Sequence, residues 1–270
     1  MTTREFDRIQ GNYERRWERV FFAYLKKEYN RTARNYPMPY EPDVEELERI
    51  FRRLYMGIVI PHAANIYKEE IEPVEGQKDI IDTLVGIMAP NRSGSGLISL
   101  WRDLLGQFLQ VRVAQRITSI TNTTRKRITT IIERSIEEGL GAEEIAREIR
   151  QQAGGNINVH RSRAIARTET MTAMNQGTYM AANSSRFQME KSWDATLDGR
   201  TRSAHRDEDI HGRWIPFDQP FYLQNPQTGT LESAMHPGDN SLSAGNLINC
   251  RCSMLTRHRR DANGRLIPKM

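Results

Sequence analysis

Apolar residues recur every three or four positions through the first half of the 270-residue chain. This spacing places an apolar stripe along an α-helix, so residues 4–152 are predicted to form helix after helix, including separate helices over 97–120 and 124–138. The proline-rich segment 36–42 cannot remain helical and is predicted to be a linker. The first stripe consists of Phe6, Ile9, Tyr13, Trp17, Val20, Phe21 and Tyr24. Its length favours a helical arm that packs against other subunits.

The periodicity changes after Gly154 and Gly155, where a loop is predicted to separate two domains. A helix over 160–182 is followed by short strands over 189–196 and 212–217 and by a loop-rich stretch over 218–248. We therefore predict an α+β protein in which a long, mostly helical region precedes a small domain with short strands and long loops. The predicted parts are a helical region over 1–152, an α+β domain over 160–256 and a basic tail over 257–270.

The positive charge of the chain is concentrated near its end. The excess of 39 basic over 34 acidic residues lies in the last twenty residues, which hold Asp261 as their only acid. A second basic stretch, without any acid, spans 112–127. Each stretch is interpreted either as solvated surface or as a contact site for an acidic partner or for double-stranded DNA, read without sequence preference. The candidate DNA-binding residues are Arg251, Arg257, Arg259, Arg260, Arg265 and Lys269.

Several classes of protein are excluded by what the sequence lacks. No run of 18 apolar residues occurs, so no membrane partner is expected, and no signal-peptide pattern opens the chain. Two cysteines one residue apart cannot form an unstrained disulfide. The chain has no phosphate-binding glycine loop, no Gly-x-Ser-x-Gly and no His-Glu-x-x-His, which weakens the common enzyme classes.

Two histidines and the two cysteines suggest a metal site. His205, His211, Cys250 and Cys252 supply the two imidazoles and two thiols of a tetrahedral zinc site. The spacing is unusual, because zinc knuckles place two residues between their cysteines and here only Arg251 intervenes. The histidines, six residues apart, also need a turn between them. The alternative interpretation is a cysteine packed as a small apolar residue and a histidine hydrogen-bonded within a turn.

The helix over 160–182 carries a second group of polar residues. Arg167 and Glu169 are two positions apart and face different ways, so they are expected to anchor flanking loops rather than to hold one substrate. Thr168, Thr172 and Asn175 share one face and are expected to tie the helix to the neighbouring sheet. A nucleotide transferase built around Arg167 and Glu169 is the weaker alternative.

Five motifs follow one another in the carboxy-terminal half. In order and spacing they resemble the Mu F-like domain of tailed-phage minor head proteins, also called head morphogenesis proteins. They are IARTET at 165–170, KSWDATLDGRTRSAH at 191–205, DIHG at 209–212, HPGD at 236–239 and INCRC at 248–252. The resemblance covers about 160–256, and the motif residues it assigns to the fold are Arg167, Thr168, Glu169, Asn175, Trp193, Asp198, Arg200, Arg202, Gly212 and Asn249.

The resemblance implies a structural assembly protein rather than an enzyme. Such a protein belongs to the procapsid and virion, lies at the portal vertex inside the capsid, and is made in the host cytoplasm. It implies the portal protein and the major capsid or scaffolding protein as partners, with DNA packaging or ejection assisted by non-specific DNA contact. The alternative is a zinc-dependent enzyme acting on nucleic acid or protein, with Asp207, Glu208 or Asp209 as general base.

Overall fold

Among the residues that the structure describes, the long helices precede residue 184 and the short strands follow residue 188. A computed structural model describes residues 3–75 and 96–269. The helices are α1 (Thr3–Asn35), α2 (Val44–Ile66), α3 (Glu72–Glu75), α4 (Gly96–Glu137), α5 (Ala142–Ala153), α6 (Asn156–Asn183), α7 (Ser203–Arg206) and α8 (Ala244–Leu247), with a π-helical turn (Tyr67–Ile71) between α2 and α3. The strands are β1 (Met189–Asp194), β2 (Trp214–Pro216), β3 (Phe221–Gln224), β4 (Leu231–Ala234) and β5 (Ser253–His258). The prediction of a mostly helical α+β fold is confirmed.

Helix α4 is one continuous helix where the sequence predicted two. Several threonines lie near its middle, and threonine hydroxyls can compete for backbone hydrogen bonds. In the structure these hydroxyls bond within the helix. Thr121 Oγ1 donates to the Ile117 carbonyl and Thr124 Oγ1 to the Ile120 carbonyl, each at 2.8 Å. The polar side chains are therefore accommodated without interrupting the helix.

Two small antiparallel sheets form the β structure. The first has the strand order β2-β1-β5, and its central strand pairs Lys191 with Ile215 on one side and with Thr256 on the other. The second is a hairpin of β3 and β4, within the stretch predicted to be loops. Asn225 orders the hairpin turn, because its Oδ1 accepts the backbone N–H groups of Gln227 at 2.8 Å and Thr228 at 3.1 Å.

The residues after β5 are folded onto the chain rather than forming a separate tail. The predicted boundary at 257 falls inside β5, which ends at His258. Beyond it, Arg259 N–H donates to the Gln188 carbonyl at 2.8 Å and Gln188 N–H donates to the Ile267 carbonyl at 2.7 Å. Lys269 N–H donates to the Arg186 carbonyl at 2.9 Å. These bonds extend the sheet beyond the start of β1.

The chain divides into two compact units whose boundaries differ from the predicted division after residue 152. The mixed unit comprises the described parts of 1–11, 55–106 and 167–270, and the helical unit comprises 12–54 and 107–166. Side chains from the predicted helical region belong to the mixed unit because they bond to α6. Tyr55 Oη donates to Glu169 Oε2 at 2.7 Å, and Trp101 Nε1 donates to Ser184 Oγ at 2.8 Å.

The helical unit buries a carboxylate at the junction of α1 and α2. Glu28 is fully buried, and burial raises its pKa while its hydrogen bonds oppose the rise. It accepts hydrogen bonds from Tyr40 Oη at 2.8 Å and from Asp43 N–H at 3.2 Å, and it pairs with Arg31 at 2.7 Å. This cluster fixes the linker 36–42 against α1. The rest of the unit is apolar, with Ile128, Ile145 and Ile149 buried in its core.

None of the helices in the described ranges is long and apolar enough to cross a membrane.

The burial of His62 predicts that the stability of the mixed unit depends on pH. His62 Nε2 lies 3.1 Å from Thr178 Oγ1, the Phe6 ring packs against the imidazole at a centroid distance of 6.0 Å, and burial lowers the pKa of His62 from 6.5 to about 4. In the unfolded chain His62 therefore binds a proton near pH 6.5, whereas in the folded chain it binds one only near pH 4. We expect the free energy of unfolding to fall over this interval by up to about 1.4 kcal/mol per pH unit.

Chemical denaturation at a series of pH values tests this expectation. His62→Gln should flatten the fall between pH 6.5 and 4, whereas the exposed His160→Gln, the matched control, should leave it unchanged. Equal pH dependence in the wild type and His62→Gln would contradict the assignment.

Candidate metal centre and the segment that carries it

The segment 248–252 makes a sharp change of direction before β5. Asn249 adopts a left-handed conformation with φ of 59°, and Cys250 N–H donates to the Leu247 carbonyl at 3.2 Å. Asparagine tolerates this conformation better than other residues with a side chain. The turn brings the two cysteines into the core of the mixed unit, where both are buried.

Backbone groups on both sides of the turn bond to side chains from distant parts of the chain. Asn249 N–H donates to Thr168 Oγ1 of α6 at 2.9 Å. Arg202 Nη2 donates to the Ile248 carbonyl at 2.6 Å. Since irregular backbone inside a core has no secondary-structure partners of its own, these side chains replace them.

The same face of α6 also fixes the start of β5. Asn175 Nδ2 donates to the Cys252 carbonyl, and Asn175 Oδ1 accepts the Met254 N–H, both at 2.9 Å. One amide therefore imitates the hydrogen bonding of a neighbouring strand. Asn175 thus makes a helix-to-sheet contact of the kind expected, whereas Thr168 on the same face bonds to the turn before β5.

Arg251, between the cysteines, bonds to a different loop. Its Nη2 donates to Asp198 Oδ1 at 2.6 Å, and its carbonyl accepts Thr196 Oγ1 at 3.1 Å. Asp198 Oδ1 also accepts the Arg200 N–H at 2.9 Å. The hydrogen bond from Arg251 is the main reason that the pKa of Asp198 is held well below its usual range. Arg251, predicted to contact DNA, is therefore engaged within the fold.

His205 and the two cysteines converge on one point. Side chains two residues apart in an extended chain point to the same side, so Cys250 and Cys252 face His205 while Arg251 points away. His205 Nδ1 lies 3.3 Å from Cys252 Sγ and 3.6 Å from Cys250 Sγ. The three atoms lie within 4.8 Å of one another, and all three residues are buried. Two sulfurs and one imidazole nitrogen are a donor set that can hold a metal ion.

Asn246 determines which nitrogen of the His205 imidazole carries the proton. The other nitrogen faces the sulfurs with a free lone pair. Its Nδ2 donates to the Gln224 carbonyl at 3.2 Å and to Glu232 Oε2 at 2.9 Å, so its Oδ1 is the acceptor that faces His205. His205 Nε2, 3.2 Å from that oxygen, therefore carries the proton and Nδ1 does not. A second partner that fixes the tautomer in this way is typical of metal-binding histidines.

The two thiols differ in acidity because they share a hydrogen bond. The contact with Cys252 lowers the pKa of Cys250, while the same contact, together with burial, raises the pKa of Cys252. Cys250 is thus the thiol that deprotonates first.

The Trp193 ring packs edge-on against His205 at a centroid distance of 5.2 Å, and both side chains are buried.

His211, the fourth predicted ligand, lies outside this group. Its Nδ1 accepts the Ala195 N–H at 3.1 Å and lies 4.0 Å from Asp194 Oδ1. The parallel bridge between His211 and Trp193 holds it beside β1, and the neighbouring Gly212 N–H donates to the Trp193 carbonyl at 3.0 Å. Among the described residues, the structure brings together three of the four predicted ligands.

The remaining residues proposed for chemistry are engaged elsewhere. Glu169 is fully buried and bonds to Tyr55, so its carboxylate does not face a substrate, and Arg167 is half-buried. Asp209, considered as a general base, is exposed and pairs with Arg213 at 2.8 Å. Of the predicted basic tail, Arg257 stacks on Trp214 at 4.2 Å and pairs with Glu190 at 2.8 Å. The exposed cations beyond β5 are Arg259, Arg260, Arg265 and Lys269.

The HPGD motif has a packing role that sequence reasoning left unassigned. Gly238 has φ of +85° and approaches α6 so closely that an added Cβ would lie 2.6 Å from Thr172 Oγ1. His236 Nε2 lies 2.9 Å from Gln176 Oε1. Thr172 thus contacts the loop at 236–239, so the face that it shares with Thr168 and Asn175 holds two separate segments. The Pro-Gly pair was the signal for a tight turn here.

The site defines a structural module in which side chains of one motif form hydrogen bonds with the backbone or side chains of another. Residues 126–255 match the family described as Phage Mu protein F like protein. The minor head protein GP7 of Bacillus phage SPP1 is 27% identical over 143 residues, which are 52% of this chain and 42% of that protein. The chain thus matches less than half the length of this relative. No solved structure matches the chain.

These matches confirm the resemblance seen in the motifs. Residues 126–255 are similar to the Mu F-like phage head morphogenesis proteins, as the motifs indicated. The matched region begins within α4, well before the start predicted at residue 160.

The close approach at Gly238 provides a stability test with an internal control. Gly238→Ala and Gly229→Ala both place a side chain at positive φ, but an added Cβ at Gly229 meets nothing within 4 Å. Gly229→Ala should cost about 1–2 kcal/mol from the backbone alone. Gly238→Ala should cost about 1–3 kcal/mol more, because Thr172 must move. Urea denaturation measures the difference, and equal costs would show that the loop does not press on α6.

Proposed function

We propose that the chain is a minor head protein that acts during head morphogenesis at the portal vertex of a tailed phage, inside the procapsid and virion. Its proposed partners are the portal protein and the major capsid or scaffolding protein. The family match and the name of the SPP1 relative support the head assignment. Few copies placed at one vertex would require a rigid module that presents a defined surface.

The observation that carries a structural rather than an enzymatic role is the engagement of the motif residues within the fold. Thr168, Asn175 and Arg202 bond to backbone around residues 248–252, and Asp198 bonds to Arg251. An enzyme would need motif side chains that face an open site. The alternative of a zinc-dependent enzyme needs a general base beside the metal, and Asp209 instead pairs with Arg213.

Assembly with and without the portal tests the location. The chain should co-sediment with procapsids assembled from capsid, scaffolding and portal proteins, at few copies per particle by quantitative mass spectrometry. Procapsids assembled without portal protein are the control and should lose the chain. Equal incorporation in both would place the chain on the capsid shell, and absence from both would contradict a head function.

We also propose that the exposed cations after β5 contact packaged DNA without sequence preference, during packaging or ejection. The residues are Arg259, Arg260, Arg265 and Lys269. The acid in this segment, Asp261, accepts the backbone N–H groups of Asn263 at 2.9 Å and Arg265 at 2.8 Å. Arg257 and Arg251 have acidic partners within the fold and are left out of this set.

We propose zinc as the ion held by His205, Cys250 and Cys252, three protein ligands that leave one position of a tetrahedral site to water. The donor set favours zinc, and Asn246 already holds the imidazole in the tautomer that a metal needs. The ion would join α7 to the segment before β5 at the point where the motif contacts meet.

Metal analysis of the purified, chelator-washed protein tests the zinc site. We expect about one zinc per chain, lost in Cys250→Ser/Cys252→Ser and in His205→Gln, because these changes remove ligand atoms. His211→Gln is the matched control and should keep the metal. Asn246→Ala keeps every ligand and should weaken zinc binding about 10- to 100-fold, because it frees the imidazole to rotate.

Cobalt substitution separates loss of ligands from loss of fold. Cobalt bound to thiolates should give charge-transfer absorption in the wild type and in His211→Gln, each with unchanged circular dichroism. Wild-type protein without metal, or a double serine variant that retains it, would overturn the zinc proposal and leave the head assignment intact.

A further inference from the structure

A cleft in the helical unit has cationic walls that the proposed function does not use. Its volume is about 450 Å³, and it lies between α1, α4 and the turn that joins α5 to α6. Tyr29 lines it from α1, and Lys126, Arg127 and Arg134 line it from α4. No acidic residue belongs to its lining. The cleft therefore concentrates positive charge in a concave surface.

The cations of this cleft differ in whether an acidic side chain balances their charge. Arg134 lies 3.7 Å from Glu138 and 3.8 Å from Glu148, so its charge is balanced by neighbours. Lys126 is exposed and Arg127 is half-buried, and among the described residues neither forms an ion pair. Two positive charges on adjacent residues of α4 thus remain without a protein counter-charge.

Arg161 adds a third cation, which bonds to α4 at Thr124, three residues before Arg127. Its Nη2 donates to Thr124 Oγ1 at 3.0 Å and to the Ile120 carbonyl at 3.4 Å. Its Nη1 is buried and has no hydrogen-bond acceptor among the described residues. Burial lowers the pKa of Arg161; Tyr29 and Tyr40 oppose this fall, and the charge of Arg127 adds to it.

A guanidinium donor without an acceptor is costly inside a protein, and two neighbouring cations make the cost larger. An oxyanion in the cleft offsets the repulsion, since it carries negative charge and accepts hydrogen bonds from the cations that line the cleft. We propose that this cleft binds a phosphate group of the DNA backbone, held by Lys126 and Arg127, with the positive charge of Arg161 nearby adding to the attraction. This gives the protein a DNA contact on the helical unit, distinct from the cations after β5.

Duplex DNA is favoured as the source of the phosphate because a further exposed cation adjoins the site. Arg125 is exposed on the same helix immediately before Lys126, whereas Arg112 and Arg116, earlier in the same basic stretch, are buried. The DNA backbone carries a phosphate charge at regular intervals, so it can contact several neighbouring cations. Each phosphate contact releases counterions. The contact carries no sequence information, since it does not reach base edges.

Fluorescence anisotropy with a labelled duplex of arbitrary sequence, measured over a salt series, tests the proposal on the full chain. Lys126→Gln/Arg127→Gln should raise the dissociation constant about tenfold or more near 0.1 M salt and reduce the slope of log affinity against log salt by about 2. Arg49→Gln/Arg53→Gln removes the same charge from the same unit and is the matched control. Arg259→Gln/Arg260→Gln reports the contribution of the cations after β5.

The outcomes separate this inference from the rest of the proposed function. Equal affinity and slope for the cleft variant and the control pair would overturn it, as would a wild type that does not bind the duplex. Loss of affinity only in Arg259→Gln/Arg260→Gln would assign DNA contact to the carboxy-terminal segment alone. Inorganic phosphate, compared with chloride at equal ionic strength, should compete weakly. Full competition by millimolar phosphate would make the cleft a small-anion site instead. Incorporation into procapsids does not depend on any of these results.

Discussion

The hydrogen bonds around residues 248–252 are the contacts on which the rest of the mixed unit depends. This segment is irregular and both of its cysteines are buried, so its backbone groups need partners from elsewhere. Thr168, Asn175 and Arg202 supply them from two parts of the chain. The path that results places Cys250 and Cys252 against His205 and leads into β5, so the three-stranded sheet and the candidate metal centre follow from the same bonds.

Both units contain buried charged side chains that are held largely by neutral groups. In the helical unit, Glu28 is bonded by Tyr40 and by the Asp43 backbone, with Arg31 at the edge. In the mixed unit, Lys191 is fully buried, donates to the Met235 carbonyl at 2.9 Å and lies 5.1 Å from the Phe221 ring centroid. Burial lowers the pKa of Lys191 to about 8. Such groups favour one arrangement of the chain over others, because alternative packings would leave them unpaired. A defined arrangement is what an assembly protein needs if it occupies a single kind of position in a head.

The parts that sequence predicted well are those encoded by local patterns. Helical periodicity gave the long helices, and the alternation near Trp193 gave β1. The β3–β4 hairpin was missed because its strands have four residues each, too few for a clear alternation, and its turn depends on Asn225. The interruption predicted in α4 failed because threonine hydroxyls found partners inside the helix. His211 was grouped with the other ligands by residue type alone, and the bridge beside β1 holds it elsewhere.

The sequence by itself determined that the chain is a helical protein with a small α+β part, and the order of its motifs pointed to the Mu F-like proteins. These properties depend on spacing along the chain, which short-range geometry translates directly into helices, strands and recognisable motifs. Only the tertiary structure decided which ligands meet, that Arg251 bonds to Asp198 rather than facing DNA, and that Arg161 bonds to Thr124 of α4. These relations join residues that are tens of positions apart, and they are set by packing and by the need of buried polar groups for partners, which no local pattern encodes.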